Sequence, residues 1–536
     1  MPDTPDLLAA VQEIEKRAER VNDQYVTETY VSAGSLVNAL SSRDNGIIFG
    51  RRGTGKTHAL KYLAGTRREV GDLVIYIDMD QDLGSTESIY GDGTLSLPYR
   101  ATRLLIDVLT IIHERLLEDA FENENGAAID VLDSMLDHFT EVIVADQAEQ
   151  EVTGATEDSR EEAKSRKFSI SKNPFSLGRN RTSKEVDKLS GRTKVSGPVR
   201  PRVHFGAIKD LMRKCLQGYE SRRCWLLLDE WSGIPLELQP YLAEMLRKLF
   251  FGVPQVTVRL AAIPHRSEWR VSLPENGYVG LEIGAEIFPL LDLDEFVVFP
   301  ARNREERNRR ASEFFKELLL RHINPILLAA GKDPLNDADQ LVRLLFTQVT
   351  SFQEMIRAAE GVPRDALMIV SRAALRAGTA RISTDNIRQA TAQLYQTGKS
   401  ALLNGLPQAR KLLDVIVRDV ISGKKARGFL LAQESTDHKL IQRLVDDRIL
   451  HIIKRGYSSK DAAGERFDVI QIDYGCYVQL LATNSAPQFL FGVDGPDEDA
   501  SLTAMYGDSE VPEDDYRAIR RAVLDLPQKL AEIGAE

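Results

Sequence analysis

The stretch Gly50-Arg51-Arg52-Gly53-Thr54-Gly55-Lys56-Thr57 decides the fold of this chain. It has the spacing G-x-x-x-x-G-K-T, follows the apolar run Gly46-Ile47-Ile48-Phe49 and precedes a run with helical character, His58 to Ala64. A strand, a glycine-rich loop and a helix in this order are typical of a phosphate-binding loop. The glycines permit backbone angles at which loop N–H groups face phosphate oxygens, and the helix N-terminus adds positive potential.

The residues at the end of this stretch indicate which ligand the loop holds. Lys56 is predicted to reach the β- and γ-phosphates of ATP, and the Thr57 hydroxyl is predicted to ligate Mg²⁺. The predicted ATP-binding positions of the loop are Gly50, Gly53, Thr54, Gly55, Lys56 and Thr57.

The composition is that of a globular protein with several domains. The chain has 536 residues, of which 43% are hydrophobic and 28% charged. Cys215, Cys224 and Cys476 are widely spaced, which predicts neither a metal site nor a disulfide framework and fits the reducing cytoplasm. We find no signal peptide and no apolar run of membrane-spanning length, so no membrane partner is expected. The net charge of −11 argues against a uniformly basic nucleic-acid surface, but not against a local basic patch.

A second motif, Cys224-Trp225-Leu226-Leu227-Leu228-Asp229-Glu230, predicts a buried strand that ends in two acids. Asp229 is expected in the Mg²⁺ coordination shell, and Glu230 is expected to polarise the attacking water. Together with the phosphate-binding loop, this motif predicts Mg²⁺-dependent ATP hydrolysis. The acids Asp78, Asp80 and Asp82 follow another buried-type strand, where they fit either a metal site or a solvated loop.

Another buried-type strand, Val256 to Ile263, ends in Pro264-His265-Arg266-Ser267-Glu268-Trp269-Arg270. A polar group at this position would sense the γ-phosphate, so Arg266 and Arg270 are candidate catalytic residues and His265 is a third. The alternative is a solvated loop. Leu290 to Phe299 is predicted to be the last strand of the core.

Two further segments are predicted to contact the nucleotide. Tyr30 and Val31 precede the first strand and are predicted either to line an adenine pocket or to pack in an ordinary core. Gly361-Val362-Pro363-Arg364 begins a helix within a helical region. A cation in the first helical turn opposes the helix dipole, and either a bound phosphate or a salt bridge would offset this effect.

The region 146–202 differs from the rest of the chain. Between Arg160 and Arg202 there are 13 Lys/Arg and 4 Asp/Glu. This composition fits either a soluble flexible insertion or a basic arm that binds phosphate backbones.

Residues 408–481 have the order of elements found in a winged helix. Helices are predicted at Val415 to Ile421 and at Thr436 to Val445, the second capped by Ser435 or Thr436. Strands are predicted at Arg448 to Arg455 and Arg466 to Asp473. Such a module binds either DNA or a protein. The residues predicted to face DNA are His438, Lys439, Gln442, Arg443, Arg455, Lys460 and Arg466. The segment Asp494 to Asp515 is acidic and predicted to be a solubilising tail.

The order of these motifs resembles the origin-recognition-type AAA+ ATPases, and it is also similar to bacterial STAND signalling ATPases. The resemblance covers about residues 25–480 and implies that Arg364 touches the nucleotide phosphates. The strand before Arg266 lacks the usual sensor asparagine of the first family, and Arg266 resembles the strand-terminal arginine of STAND proteins. This departure and the insertion argue against a replication initiator. They favour a bacterial defence, mobile-element or signalling ATPase.

The predicted fold class is an α/β P-loop NTPase core, with a parallel sheet and helices on both faces, followed by an α-helical lid and a winged helix. The predicted boundaries are 1–300 for the ATPase domain including the insertion, 301–400 for the lid, 405–485 for the winged helix and 486–536 for the tail. We predict an oligomeric, cytoplasmic ATPase that acts on DNA, with antiviral defence as one setting. The alternative is an ATP-gated protein that assembles with an effector without reading DNA directly.

Overall fold

The computed structural model describes residues 2–15, 17–18, 21–31, 36–89, 95–139, 142–144, 199–201, 203–217, 222–274, 277–294, 304–424, 426–458, 464–478 and 522–535. Most of the predicted insertion, residues 146–198, and the acidic run 494–515 lie outside these ranges.

The helices in chain order are α1 (Thr4–Glu13), α2 (Asp23–Thr29), α3 (Leu36–Leu40), α4 (Lys56–Glu69), α5 (Thr86–Ile89), α6 (Leu97–Glu122), α7 (Gly126–Phe139), α8 (Phe205–Gln217), α9 (Gln239–Leu246), α10 (Arg304–Ala329), α11 (Ala338–Leu345), α12 (Val349–Ala358), α13 (Pro363–Ala377), α14 (Thr384–Leu394), α15 (Pro407–Ile416), α16 (Gln433–Thr436), α17 (Lys439–Asp446), α18 (Tyr474–Tyr477) and α19 (Leu526–Ile533). The strands are β1 (Gly46–Phe49), β2 (Leu73–Asp78), β3 (Val142–Val144), β4 (Val199–Pro201), β5 (Cys224–Asp229), β6 (Val256–Ala262), β7 (Arg270–Ser272), β8 (Tyr278–Gly280), β9 (Phe288–Asp292), β10 (Gly428–Ala432), β11 (Leu450–Ser458), β12 (Arg466–Ile472) and β13 (Val523–Leu524).

The chain forms two compact units. The first unit contains Met1–Val37, Gly50–Tyr62 and Asp292–Glu536, and the second contains Asn38–Phe49 and Leu63–Leu291. Each unit has a hydrophobic core of its own.

The second unit is built on a five-stranded sheet with the order β2-β5-β6-β1-β9. The pairs β2–β5, β5–β6 and β1–β6 are parallel, and Asp78 lies opposite Asp229 in the register. Every residue of β5 and β6 is buried, which explains their near-continuous apolar sequence. Apolar faces of α6, α7, α8 and α9 belong to the same core. The predicted α/β P-loop fold class is therefore confirmed.

The last strand of this sheet starts earlier than predicted. The sequence suggested Leu290 to Phe299, whereas β9 runs from Phe288 to Asp292. The Phe288 N–H donates to the Asn45 carbonyl, which sets β9 beside the start of β1. The later apolar residues that suggested a longer strand, Phe296 to Phe299, lie outside the described residues.

In the first unit, α1 packs its apolar face into the core that contains α10, α11, α12 and α13. Helix α1 ends at Glu13, because the backbone angles of the next residue, Ile14, are not helical (φ −52°, ψ 122°). The segment before the first strand is itself helical, since the Asn22 side chain caps α2 by accepting the Tyr25 N–H.

The C-terminal part of the first unit has a sheet with the order β11-β12-β10-β13. The predicted antiparallel hairpin is present as β11 and β12. The helix before it begins at Lys439, not Thr436, because Thr436 ends the short helix α16 and the His438 side chain caps α17. The winged-helix assignment itself stays a prediction.

The tail prediction is wrong for its final residues. Leu430 and Leu431 of β10 pair in parallel with Val523 and Leu524 of β13. Helix α19 follows, and Leu526 is buried in the core of the first unit. Apolar side chains in this short segment therefore complete the C-terminal sheet.

No helix in the described part of the chain combines the length and the apolar character that a bilayer crossing requires.

Candidate nucleotide site

The phosphate-binding loop joins the end of β1 to the start of α4. Gly53 and Gly55 have φ angles of 91° and 99°, a region in which any residue with a Cβ is strained. The Lys56 ammonium is buried and donates to the carbonyls of Gly50 (3.0 Å) and Arg51 (3.1 Å). A buried lysine held by neutral carbonyls in a glycine-rich loop suits an oxyanion chemically. These residues therefore fit the phosphates of a nucleotide.

Two threonines, Thr54 and Thr57, lie beside Lys56 in the phosphate-binding loop and at the start of α4. The Thr54 hydroxyl donates to the Arg51 carbonyl at 2.9 Å, which closes the loop on itself. Thr57 is in the first turn of α4 and is 9% exposed. A threonine at this position is the residue that would hold a divalent cation.

Arg364, the arginine predicted to belong to a lid, lies against the loop within the first unit. The Arg364 N–H donates to the Gly53 carbonyl at 3.3 Å. A Cβ on Gly53 would come within 3.0 Å of the Arg364 Nε and of a Val362 methyl, so the glycine is required for this close approach. Gly53, Val362 and Arg364 are thus close together, while the predicted contact of Arg364 with nucleotide phosphates stays a prediction.

A group of buried and partly buried charged residues lies around Arg51. We call it the Arg51 cluster: Arg51, Asp294, Glu360, Asp365, Lys399, Arg448, His451 and Asp473. Asp294 accepts both the Arg51 backbone N–H (2.7 Å) and its Nε–H (2.6 Å). The other guanidinium nitrogens contact His451 Nδ1 (2.7 Å) and the Glu360 carbonyl (3.2 Å). A loop residue is therefore bonded to three distant segments of the first unit.

The tautomer of His451 follows from its two partners. Asp473 lies 3.0 Å from Nε2, so Nε2 carries the proton, while Nδ1 accepts from Arg51. Burial lowers the pKa of His451 to about 4, with the Arg51 charge adding to this effect and Asp473 opposing it. His451 is therefore neutral at physiological pH.

The remaining members of the cluster are paired carboxylates and cations. Burial acts to raise the pKa of Asp473, but Lys399 and the hydrogen bond from His451 hold it well below its usual value. Lys399 also contacts Asp365 at 3.3 Å, and Arg448 contacts Asp365 at 2.8 Å. Burial raises the pKa of Glu360 to about 7, and its carboxylate accepts from Gln471.

Nothing in the sequence indicated this cluster. Arg51 occupies a variable position of the loop motif, and His451 lies within an apolar strand. His451 and Asp473 offered a signal, since each is an ionisable residue beside apolar residues of a predicted strand, whereas Arg51 offered none, because it lies between Gly50 and Arg52 in the loop.

The predicted adenine residues lie in an aromatic group of the first unit. The Tyr30 ring stacks on Tyr62 with 4.2 Å between centroids and meets His58 edge-on at 5.4 Å. Tyr30 is 7% exposed, and Val31 packs against the core of the first unit. These contacts favour the packing alternative, and the adenine role stays a prediction.

The acid-bearing strand β5 belongs to the second unit. Asp229 is fully buried, and its carboxylate accepts from the Tyr76 hydroxyl (2.7 Å) and the Glu230 N–H (2.8 Å). Glu230 follows with a left-handed backbone (φ 49°) and is partly exposed. Since β1, β5 and β6 are parallel, their carboxyl ends lie at one edge of the sheet. Glu230 follows β5 at that edge.

The acids after β2 organise a loop. Asp78 accepts the N–H groups of Asp80 (3.0 Å) and Gln81 (3.1 Å), and Asp82 accepts the Asp78 N–H (2.8 Å). Burial raises the pKa of Asp78, and Asp229 and Asp82 add to this effect. These bonds favour the loop interpretation, and no cluster of three potential metal ligands occurs among the described residues.

The two candidate arginines after β6 occupy different positions. Arg266 ends a short 3₁₀ turn, and the Gln239 side chain donates to its carbonyl. The hydroxyl of Ser267, which follows this turn, is hydrogen-bonded to the hydroxyl of Ser232 at 3.2 Å. Arg270 is exposed on the hairpin β7–β8, above the Tyr278 ring. The γ-phosphate role of either arginine stays a prediction.

The sequence did not predict a contact that two tryptophans make near these arginines. The buried rings of Trp231 and Trp269 stack with 5.4 Å between centroids and an interplanar angle of 5°. Each tryptophan follows a core strand by a few residues, which is the signal that would have indicated the pair. The stack packs the turn after Glu230 against the segment after β6.

Comparison with known proteins identifies a family similarity over the N-terminal part of the site. A family model described as ORC-CDC6-like matches residues 15–71, which include the phosphate-binding loop. The Walker-type ATPase PABY2304 of Pyrococcus abyssi is a similar structure, with 11% identity, coverage of 88% of this chain and 99% of that chain, and a TM-score of 0.36. The Orc1 protein of Aeropyrum pernix in complex with DNA is another, with 15% identity, coverage of 82% and 86%, and a TM-score of 0.28. No curated protein matches the sequence.

The predicted resemblance to origin-recognition-type AAA+ P-loop ATPases is confirmed. The family match over residues 15–71 and the parallel sheet that leads into the loop carry this conclusion. The sheet, the loop and the helix that follows the loop therefore form an α/β P-loop core.

Proposed function

We propose that this protein is a Mg²⁺-dependent AAA+ ATPase that works as a switch associated with DNA, in a bacterial defence or mobile-element system. One observation supports the switch most directly: within the first unit the phosphate-binding loop is bonded both to the lid residue Arg364 and, through Arg51, to His451 of the C-terminal sheet. Phosphates that enter the loop would compete for the hydrogen-bond donors of Arg364 and Arg51 that make these contacts. Nucleotide binding would therefore alter the contacts of the lid and the C-terminal sheet.

In this proposal each residue has a role set by its chemistry. Lys56 exchanges its carbonyl partners for β- and γ-phosphate oxygens, and Arg364 adds charge from the lid. Thr57 and Asp229 are the residues that would hold Mg²⁺, and a bound Mg²⁺ would neutralise phosphate charge. Glu230 accepts a hydrogen bond from the attacking water and orients it toward the γ-phosphorus. Arg266 or Arg270 stabilises the developing charge, from the same chain or from a neighbouring subunit.

Nucleotide binding is tested by Lys56→Ala. We expect the variant to lose ATP binding in calorimetry, because the loop loses the cation that reaches the phosphates. Arg52→Ala is the matched control, since Arg52 is exposed in the same loop. Equal ATP affinity for Lys56→Ala and wild type would reject the nucleotide site.

Hydrolysis is tested by Glu230→Gln. Removal of the water-orienting carboxylate should lower turnover about 100-fold or more while ATP binding is kept. Steady-state phosphate release and ATP calorimetry on the same preparation separate the two effects. Unchanged turnover would show that Glu230 has another role.

The DNA part of the proposal depends on the C-terminal sheet and the basic insertion. Affinity should fall as salt rises, because phosphate contacts release counterions, and ATP should change the affinity. A salt series with a DNA duplex, with and without ATP, measures both effects. Absent or salt-independent binding would remove DNA from the proposal.

A protein partner is the second candidate, and one observation favours it. Several residues predicted to face DNA already bond within the chain: Arg443 with Asp447 (2.8 Å), Gln442 with the Thr436 carbonyl (2.7 Å) and Arg466 with the Gly456 carbonyl (3.1 Å). In this alternative, ATP gates assembly with an effector. Mass measurements with ATP and a non-hydrolysable analogue test it, and a monomer without a partner in every state would reject it.

A further inference from the structure

The second unit contains a cavity of about 340 Å³ that is rich in arginine. Its lining includes Ser41, Arg43, Arg67, Asp72, Arg223 and Trp225, and we call it the arginine pocket. Asp72 and Arg223 directly precede β2 and β5. The pocket therefore lies at the amino ends of these parallel strands, the opposite edge of the sheet from Asp229 and Glu230.

The floor of the pocket is a buried tryptophan covered by cations. The Arg67 guanidinium lies 4.6 Å from the centre of the Trp225 ring, and Arg259 lies 5.3 Å from it. Trp225 is 1% exposed, so its face is not open to a stacking ligand. This arrangement favours a small charged group over an aromatic base.

The single carboxylate of the pocket is already engaged. Asp72 accepts the Trp225 indole N–H at 2.9 Å and the Arg223 backbone N–H at 3.0 Å, while Arg67 lies 4.0 Å from it. Arg43, Arg67 and Arg223 carry three positive charges against this one negative charge. The lining therefore has a formal excess of two positive charges.

Two of the guanidinium groups retain donor capacity. Arg67 donates to the Ser41 carbonyl, and Arg223 donates to Pro254 and Thr257. The Nε of Arg67 and the Nε of Arg223 are nevertheless buried without a hydrogen-bond partner among the described residues. Buried donors of this kind cost free energy unless an acceptor reaches them.

The electrostatics of Arg223 agree with this geometry. Burial lowers its pKa, and the charges of Arg43 and Arg67 lower it further, while Asp72 opposes the shift. Like charges thus converge on one cavity and repel each other. An anion in the cavity would relieve this repulsion and accept from the fork-shaped guanidinium groups.

We propose that the arginine pocket binds the phosphate group of a ligand. A tetrahedral phosphate offers several acceptors to the guanidinium groups that line the cavity, and the cavity has the size of a small-ligand site. The phosphate belongs either to a nucleic-acid backbone or to a small phosphorylated molecule. The proposal does not rest on ATP hydrolysis, because the pocket is at the other edge of the sheet.

The test uses full-length protein with Lys56→Ala as the background, so that the phosphate-binding loop does not contribute. Inorganic phosphate is titrated calorimetrically, and a DNA duplex is titrated across a salt series. We expect Arg43→Gln to weaken phosphate binding about threefold and Arg43→Gln/Arg67→Gln to weaken it more than tenfold. Arg68→Gln removes the same charge from the same helix as Arg67 but does not line the pocket, so it should have no effect.

Comparison of the phosphate titration with the DNA titration identifies the source of the phosphate. If DNA affinity and its salt dependence fall together with phosphate affinity, the pocket binds a nucleic-acid backbone. If only phosphate binding falls, the pocket serves a small phosphorylated molecule. Thermal unfolding checks each variant, and Arg43 is exposed, so its variant keeps the test valid if the double variant does not fold.

The proposal is overturned if the Lys56→Ala protein binds no phosphate, or if the double variant and Arg68→Gln bind it equally. ATPase activity of the pocket variants in a background with intact Lys56 separates this result from the proposed function. Loss of phosphate binding with normal hydrolysis supports the pocket alone. Absent hydrolysis in the wild-type protein with phosphate binding intact rejects the ATPase proposal alone.

Discussion

Arg51 and Arg259 are both buried, but their charges are accommodated in different ways. Arg51 is 8% exposed and lies among charged partners, with Asp294 and other carboxylates raising its pKa against the effect of burial. Arg259 is fully buried, and its guanidinium donates to the carbonyls of Leu40, Ser42 and Asp44. Burial lowers the pKa of Arg259 to about 9. Arg51 is therefore held mainly by charged side chains, whereas Arg259 is held mainly by carbonyl oxygens, with the Asp44 charge opposing the effect of burial on its pKa.

This difference separates a site that responds to its surroundings from one that is static. His451 and Glu360, which lie near Arg51 on different segments of the first unit, have shifted pKa values, so a change of pH can change their charge. The carbonyls around Arg259 neither titrate nor change charge. We therefore expect Arg259 to fix the start of β1 near Leu40 and Asp44, and the Arg51 cluster to respond to pH and nucleotide.

The largest expected effect is that of Arg51→Met. Removal of one partner of a buried ion pair leaves Asp294 without compensation, so the free energy of unfolding should fall by about 3–5 kcal/mol. Urea denaturation followed by circular dichroism measures the change. Arg52→Met is the matched control and should change stability by less than about 0.5 kcal/mol, because Arg52 is exposed. Equal losses for both variants would contradict the role of the cluster.

Arg259→Met should lower stability by about 2–3 kcal/mol, because buried carbonyls lose their donor. Unlike the loss from Arg51→Met, this loss should be the same at pH 5 and pH 8. Chemical denaturation at both pH values measures it. A loss that changed with pH would show that a titrating group also acts on Arg259.

The pH response of the cluster is tested with His451→Gln. The folded-state pKa of His451 is about 4, below its usual value of about 6.5, so the unfolded chain takes up the proton first as pH falls. The stability contributed by neutral His451 is present above about pH 6.5 and is lost as pH falls toward 4. The variant should therefore lose about 2 kcal/mol less than wild type between these values.

Glu360 acts in the opposite direction and must be separated from His451. Its folded-state pKa is raised to about 7, so its contribution is present below its ordinary pKa and is lost as pH rises through 7. Glu360→Gln should therefore make the acid loss of stability steeper. Parallel pH profiles for the wild type and both variants would contradict both assignments.

The smallest effect is the coupling between Arg51 and Asp294. If charge is what holds Arg51, then removing both partners should cost about 1–2 kcal/mol less than the sum of the single losses. A double-mutant cycle with Arg51→Met and Asp294→Leu measures this energy. Additive losses would show that the Asp294 charge does not hold Arg51, and the proposed difference between Arg51 and Arg259 would be wrong.

The sequence predicted what depends on local spacing. The loop between β1 and α4, the acids after β5 and the helix that begins at Pro363 follow from residue types at fixed short intervals. The Arg51–His451 contact joins residues separated by 400 positions, so no local pattern encodes it. The start of β9 and the pairing of β13 were missed for a related reason, because strand register depends on partners elsewhere in the chain.

Backbone strain is concentrated near these sites. Among the described residues, the non-glycine residues with positive φ are Glu124, Glu230, Glu360 and Arg448. Glu360 and Arg448 belong to the Arg51 cluster, and Glu230 is the predicted catalytic acid. A left-handed conformation costs a non-glycine residue about 1–2 kcal/mol, so glycine at position 230 would stabilise the fold while removing the carboxylate. If Glu230 orients water, the protein keeps a residue that lowers the stability of this turn because its carboxylate is needed for hydrolysis.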